Sequence, residues 1–152
     1  MRHINTFSTA IQLAIVGKVL IAAVLASMIG WERDRAGKAA GTRTMALVGI
    51  SATAVVAIGE ALNSQFNLGD PTRALHAVVT GIGFLGAGLI FTSGKSNEIQ
   101  GVTTSATVFT TACMGIAIGL GFLITGAFFA FVVMVILRST HLMEKAHRLR
   151  GD

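Results

Sequence analysis

Charge is what this sequence has least of. Only 12% of its 152 residues are Asp, Glu, Lys or Arg, against roughly 25% in a soluble domain. Acid is scarcer still, with seven Asp and Glu against twelve Lys and Arg. A single cysteine, Cys113, excludes an internal disulfide, and its place inside an apolar run reads as packing. One proline stands among eighteen glycines, which suits closely packed membrane helices, since these tolerate glycine better than soluble ones do. No nucleophile–base pair or metal-ligand spacing is found, so no catalytic residue, metal ligand or cofactor is expected. The pI near 10.4 does not point to nucleic acid, because Lys and Arg gather at the ends of apolar runs, where they set topology.

What is present is hydrophobic length: 53% of the residues are apolar and the mean hydropathy is +0.72. Crossing about 30 Å of hydrocarbon takes roughly 20 helical residues, with about 17 as a working minimum. Five runs qualify. They are Ala10–Ile29, Met45–Ala61, Ala74–Phe91, and two halves of Val102–Leu137. As one helix that last stretch would be roughly 54 Å long, too long for one crossing, and Gly119-Leu120-Gly121 offers a turn near its middle. The first run exceeds the about 7–15 apolar residues of a signal peptide and leads straight into charge, so it is expected to be an uncleaved anchor. The expected fold is all-α, an integral membrane bundle of five transmembrane helices.

Charge sets the expected orientation. With five spans, Arg33, Arg35, Lys38, Arg43, Lys95, Arg138, Lys145, Arg148 and Arg150 share one side, against Arg2 and Arg73 on the other. The positive-inside rule then puts the N-terminus outside and the C-terminus in the cytoplasm. Residues 1–9 become an extracytoplasmic segment, 10–137 the membrane domain and 138–152 a basic cytoplasmic tail. In that tail Leu142, Ala146 and Leu149 suggest a short amphipathic helix or an extension of the fifth span. His141 and His147, six apart, face different ways and read as part of a solvated basic tail.

Ionisable residues inside or beside the spans are the candidates for function. Lys18 lies within the first span, about 18 Å of helix before Gly30, and a charge at that depth should face the bundle and have a partner. By depth, Glu60 and His76 could meet it, forming an intramembrane charge cluster; otherwise Lys18 snorkels and Glu60 is interfacial. Asp70-Pro71 reads as a helix start, and Arg73 in the first turn calls for a carboxylate or lipid phosphate against the helix dipole. Glu32, Arg33 and Arg43, beside helix-end glycine and Trp31, read as a packed polar network, with Lys38 solvated.

Gly81, Gly83 and Gly86 have a GxGxxG spacing, but mid-span and without a preceding strand, so a nucleotide loop is excluded. Together with Gly88, Gly101 and Gly115 they are read as helix-packing positions, with a broken helix lining an ion path as the alternative for Gly81 to Gly88. Ala22, Ala26 and Gly30 form a further small-residue stripe, as do Gly115 and Gly119, each marking either an intra-bundle contact or the seam of a homo-oligomer. In the fourth span Thr103, Thr107, Thr110 and Thr111 fall on one face, with Thr104 beside them. Such hydroxyls often bond their own i−4 carbonyls, giving a polar packing face; a hydrated surface is the alternative.

An ordered set of motifs runs through these segments: Gly30-x-Glu32-Arg33, Gly37-Lys38-x-Ala40-Gly41-x-Arg43-Thr44, Asp70-Pro71-x-Arg73, Gly81-Ile82-Gly83-Phe84-Leu85-Gly86-Ala87-Gly88 and Gly101-x-Thr103-Thr104-x-Ala106-Thr107. Over about residues 10–137 the chain resembles the membrane domain of the MgtC/SapB family. Lys18 also stands where family members usually carry a basic residue. The resemblance implies a five-span protein of the bacterial inner membrane, tied to magnesium limitation and, in pathogens, to intracellular survival. It further implies a non-enzymatic regulator of other membrane proteins, the rotary ATP synthase or ion transporters among them, in contact with lipid. No counterpart of the soluble C-terminal domain of longer members is expected from this sequence, and Trp31 stands where an aliphatic residue is commoner. The alternative is a channel or carrier for Mg²⁺ or protons through Lys18, Glu60 and His76. Four of the five spans contain no acid, which is thin provision for Mg²⁺.

Overall fold

A computed structural model describes residues 7–67, 70, 72–92 and 98–148, with side chains to residue 139. Five helices follow one another: α1 (Thr9–Arg35), α2 (Thr42–Phe66), α3 (Arg73–Gly88), α4 (Val102–Gly119) and α5 (Leu123–Arg148). Between α3 and α4 lies a small antiparallel ribbon, β1 (Phe91–Thr92) with β2 (Ile99–Gln100), pairing Phe91 with Gln100. The expected all-α bundle is therefore interrupted by one short hairpin. Phe91, placed in the third span by hydropathy, belongs to that hairpin instead.

Length separates the helices. Among the described residues α1, α2 and α4 are each long and apolar enough to cross a membrane. The third helix has 16 residues, about 24 Å of rise, one residue short of the working minimum. The fifth helix, apolar over its described residues Leu123–Ser139, continues to Arg148. As far as Arg148 the tail is thus an extension of that helix, while the side chains of its expected apolar stripe and histidines lie outside the described residues.

Small residues decide how closely the helices approach. On α1, Ala22 and Ala26 are fully buried, and Gly30 joins them. A Cβ at Gly30 would collide with the Thr42 backbone, and one at Gly49 would stand 2.7 Å from the Ala26 Cβ. The stripe is therefore the seam between α1 and α2. On its other side α2 meets α4, where a Cβ at Gly115 would lie 2.7 Å from the Gly49 carbonyl oxygen and one at Gly119 2.9 Å from that of Thr53. The Thr53 hydroxyl, fully buried, donates to the Gly115 carbonyl at 2.9 Å. Lipid tails are as apolar as leucine, so dispersion at such close contacts and interhelical hydrogen bonds hold these helices together.

Two clusters of larger side chains complete the core. Ile29, Met114, Ile118, Val133 and Leu137 join α1, α4 and α5. Met45, Ala52, Ile82, Val108 and Ala112 join α2, α3 and α4. Outward-facing Leu20, Val24, Phe84, Ile124 and Phe128 are exposed, as side chains turned to lipid would be.

Candidate functional site

The polar chemistry gathers at two ends of the bundle and at one point between them. At one end, α1 closes in a left-handed turn at Gly37 (φ 64°), with the Lys38 amide donating to the Arg33 carbonyl and the Gly37 amide to that of Asp34. The chain re-enters at Thr42 with Asp34 held against it. The Asp34 carboxylate accepts from the Thr42 amide at 2.9 Å and from its hydroxyl at 2.6 Å. One carboxylate from the end of α1 thereby satisfies a free amide at the start of α2 and offsets its dipole. Gly41 has no side chain because a Cβ there would fall on that carboxylate.

Behind this turn Glu32 and Arg33 are buried, at 6% and 3% exposure. An Arg33 Nη donates to the Thr104 hydroxyl of α4 at 2.8 Å, a contact 71 residues apart in sequence. Its Nε is buried and meets no acceptor among the described residues. Arg43 is exposed and acts electrostatically on Asp34. Arg35 lies over the Trp31 ring, 4.6 Å from its centroid.

At the far end, Asp70 accepts from the Thr72 amide at 2.9 Å and its hydroxyl at 2.7 Å, closing the turn into α3. These two bonds hold its carboxyl below the usual range, and His76 and Arg73 reinforce the shift. Glu32, Arg33 and Arg43, expected as a packed network, lie at one end of α2, and Asp70 and Arg73 lie at the other. The length of α2, 25 residues or about 37 Å, separates the first three from the last two. Even within the first three, Arg33 is buried and Arg43 is not.

Lys18 sits between these ends. Its Nζ donates to the Gly119 carbonyl oxygen at 2.8 Å, so its recorded partner is a backbone group and not Glu60 or His76. His76 is exposed and acts electrostatically on Asp70, and Glu60 is half-buried near the end of α2. Depth along the bilayer fixes one coordinate of three, which is why residues of similar depth need not meet. The choice of Gly119 has a clear cause. The Leu120 amide donates to Ile116, Gly121 (φ 93°) to Ile118 and Phe122 to Ala117. Those bonds close the end of α4 in a Schellman turn and leave the Gly119 carbonyl, which the ammonium takes.

The glycines and threonines divide in the same way. A Cβ at Gly86 would stand 2.7 Å from the Ser105 hydroxyl, and Gly101 (φ 87°) lies against the Leu89 carbonyl. Gly81, Gly83 and Gly88 instead have no atom within 4 Å of a Cβ position, so among the described residues they pack against nothing. On α4 the buried hydroxyls are those of Thr104, Thr107 and Thr111, while Thr103 is exposed and Thr110 only half-covered. The buried face is rotated by about one residue from the expected one. Thr107 and Thr111 donate to their own i−4 carbonyls, of Thr103 and Thr107, which is the packing arrangement and not the hydrated one. Gly49 and Thr53 were not singled out by sequence, Gly41 stood there only as part of a motif, and Asp34 was not foreseen as a cap. The signal for Asp34 was its short spacing to Thr42 across a glycine turn.

The family model described as MgtC family matches residues 19–146. An uncharacterised protein of Haemophilus influenzae is 36% identical over 144 residues, covering 90% of this chain and 60% of that protein. A protein of Escherichia coli K12 named putative magnesium transporter YhiD is 33% identical over 143 residues, covering 88% and 66%. Protein MgtC of Brucella abortus is 37% identical over 112 residues, covering 74% and 44%. The chain thus spans less than two thirds of the length of these relatives. No solved structure matches. The chain belongs to the MgtC family.

Proposed function

We propose that this is a multi-pass protein of the bacterial inner membrane, N-terminus outside and C-terminus cytoplasmic, which regulates other membrane proteins during magnesium limitation and is not an enzyme. Proteins of the kind it would act on include the ATP synthase and ion transporters, and it would act alone or as a homo-oligomer. The observation that carries the reading is where its charges are used. Lys18 closes α4, Arg33 joins α1 to α4, and Asp34 and Asp70 cap turns. Charged groups committed to the chain's own helices make a scaffold, and a scaffold works by contact.

The second reading is a magnesium carrier, favoured by the name of the YhiD relative. A Mg²⁺ path needs one or two carboxylates with the ion's waters retained, and the membrane-length helices supply Glu60 in α2 with Glu32 and Asp34 near the end of α1, the last already bound to Thr42. Purified full-length protein in liposomes, with Mg²⁺-sensitive and pH-sensitive dyes inside, separates the two readings. We expect fluxes equal to those of empty liposomes, from protein that still restores growth of its deletion strain at low magnesium. A Mg²⁺ or proton flux lost in Glu60→Gln and Lys18→Met would replace the regulator with the carrier.

A further inference from the structure

On the outer face of α1, near its charged end, a groove of about 520 Å³ is lined by Ala23, Val24, Ser27, Met28, Trp31 and Thr42. It is open along its length, a surface trough and not an enclosed cavity. Its walls are apolar, with the Ser27 and Thr42 hydroxyls as the exceptions, and Val24, Met28 and Trp31 are exposed. Charge sits at one end alone. Arg35 lies over the Trp31 ring at 4.6 Å, and Arg43 follows Thr42 and acts on Asp34. The carboxylates at that end are Glu32, buried beside Arg33, and Asp34, which already accepts two hydrogen bonds from Thr42. Against Arg33, Arg35, Lys38 and Arg43 they leave the end positive.

An apolar trough with a positive end, an arginine-stacked tryptophan and its place where α1 leaves the hydrocarbon has the polarity of one class of ligand. We propose that the groove binds an anionic phospholipid, an acyl chain lying along Val24 and Met28 and the phosphate held by Arg35 and Arg43. Guanidinium groups suit phosphate because their planar fork matches two of its oxygens. Tryptophan suits the site because its ring prefers the headgroup level. The inference requires the chain to lie in a bilayer and is independent of whether it regulates or transports.

The chain supplies its own probe, since Trp31 is its sole tryptophan and it has no tyrosine. Full-length protein is reconstituted in phosphatidylcholine vesicles containing phosphatidylglycerol, with brominated acyl chains on one lipid at a time. Brominated phosphatidylglycerol should quench Trp31 at a several-fold lower mole fraction than brominated phosphatidylcholine does. In Arg35→Gln with Arg43→Gln that preference should disappear, since each arginine can supply up to roughly fivefold. It should persist in Arg73→Gln, at the opposite end of α2. Ser27→Phe, which fills the groove and keeps both arginines, should also remove it, so the test survives if the double variant fails to fold. Equal quenching by the two lipids overturns the proposal. So does a preference that survives in both groove variants, or an absence of quenching by either lipid, which would mean that protein covers the groove.

Discussion

A guanidinium sealed from water is costly unless its donors are met, and Arg33 is 3% exposed with one recorded acceptor, the Thr104 hydroxyl. A hydrogen bond to a charged group contributes about 1.5–3 kcal/mol, and removing the acceptor leaves the charge buried. Thr104→Val should therefore lower stability by about 1–3 kcal/mol, and Thr104→Ser should recover most of it. Reversible unfolding in mixed detergent measures both, and a valine variant within about 0.5 kcal/mol of wild type would show the bond to be idle. Both partners stand in motifs visible in the sequence, Gly30-x-Glu32-Arg33 and Gly101-x-Thr103-Thr104. Their pairing was not visible, because a contact 71 residues apart depends on how α1 and α4 rotate. The same rotation decided that Thr104, not Thr103, faces inward.

For an element, spacing shows that glycines are grouped and burial shows which of them matter. The densest run, Gly81 to Gly88, attracts attention in the sequence, yet three of its four glycines face open space. Gly115 is less conspicuous and sits at the crossing of α2 with α4. Gly115→Leu should cost about 1–3 kcal/mol through overpacking, whereas Gly81→Leu should stay within about 0.5 kcal/mol. The same detergent unfolding compares them. An equal loss in both would mean that another protein surface lies against α3. Periodicity cannot foresee this difference, since it records which residues lipid tolerates and not which neighbour each one meets.

For the whole molecule, the number and order of helices were legible because apolar length and the Gly119–Gly121 break are explicit in the sequence. Helix ends were less so. Hydropathy stops α1 at Ile29, but its hydrogen-bond ladder runs on to Arg35, past two buried charged residues. Hydropathy also overran α3, whose last turn gives way to the ribbon. Orientation can be tested in a Cys113→Ser background. A membrane-impermeant maleimide added to intact spheroplasts should label Gln65→Cys, at the exposed end of α2, and spare Lys38→Cys until the cells are opened. Labelling in the reverse order would invert the topology.

The bond from Lys18 to Gly119 also orders events in time. Lys18 enters the membrane with the first helix, while the carbonyl that receives its charge belongs to a residue 101 positions later. A lysine near mid-span costs an inserting helix about 2.5–3.5 kcal/mol. Until α4 has been made, α1 therefore carries that cost alone. The first helix is thus a conditional anchor, and a chain stopped before Gly119 should lose it from the membrane more readily than the finished protein does.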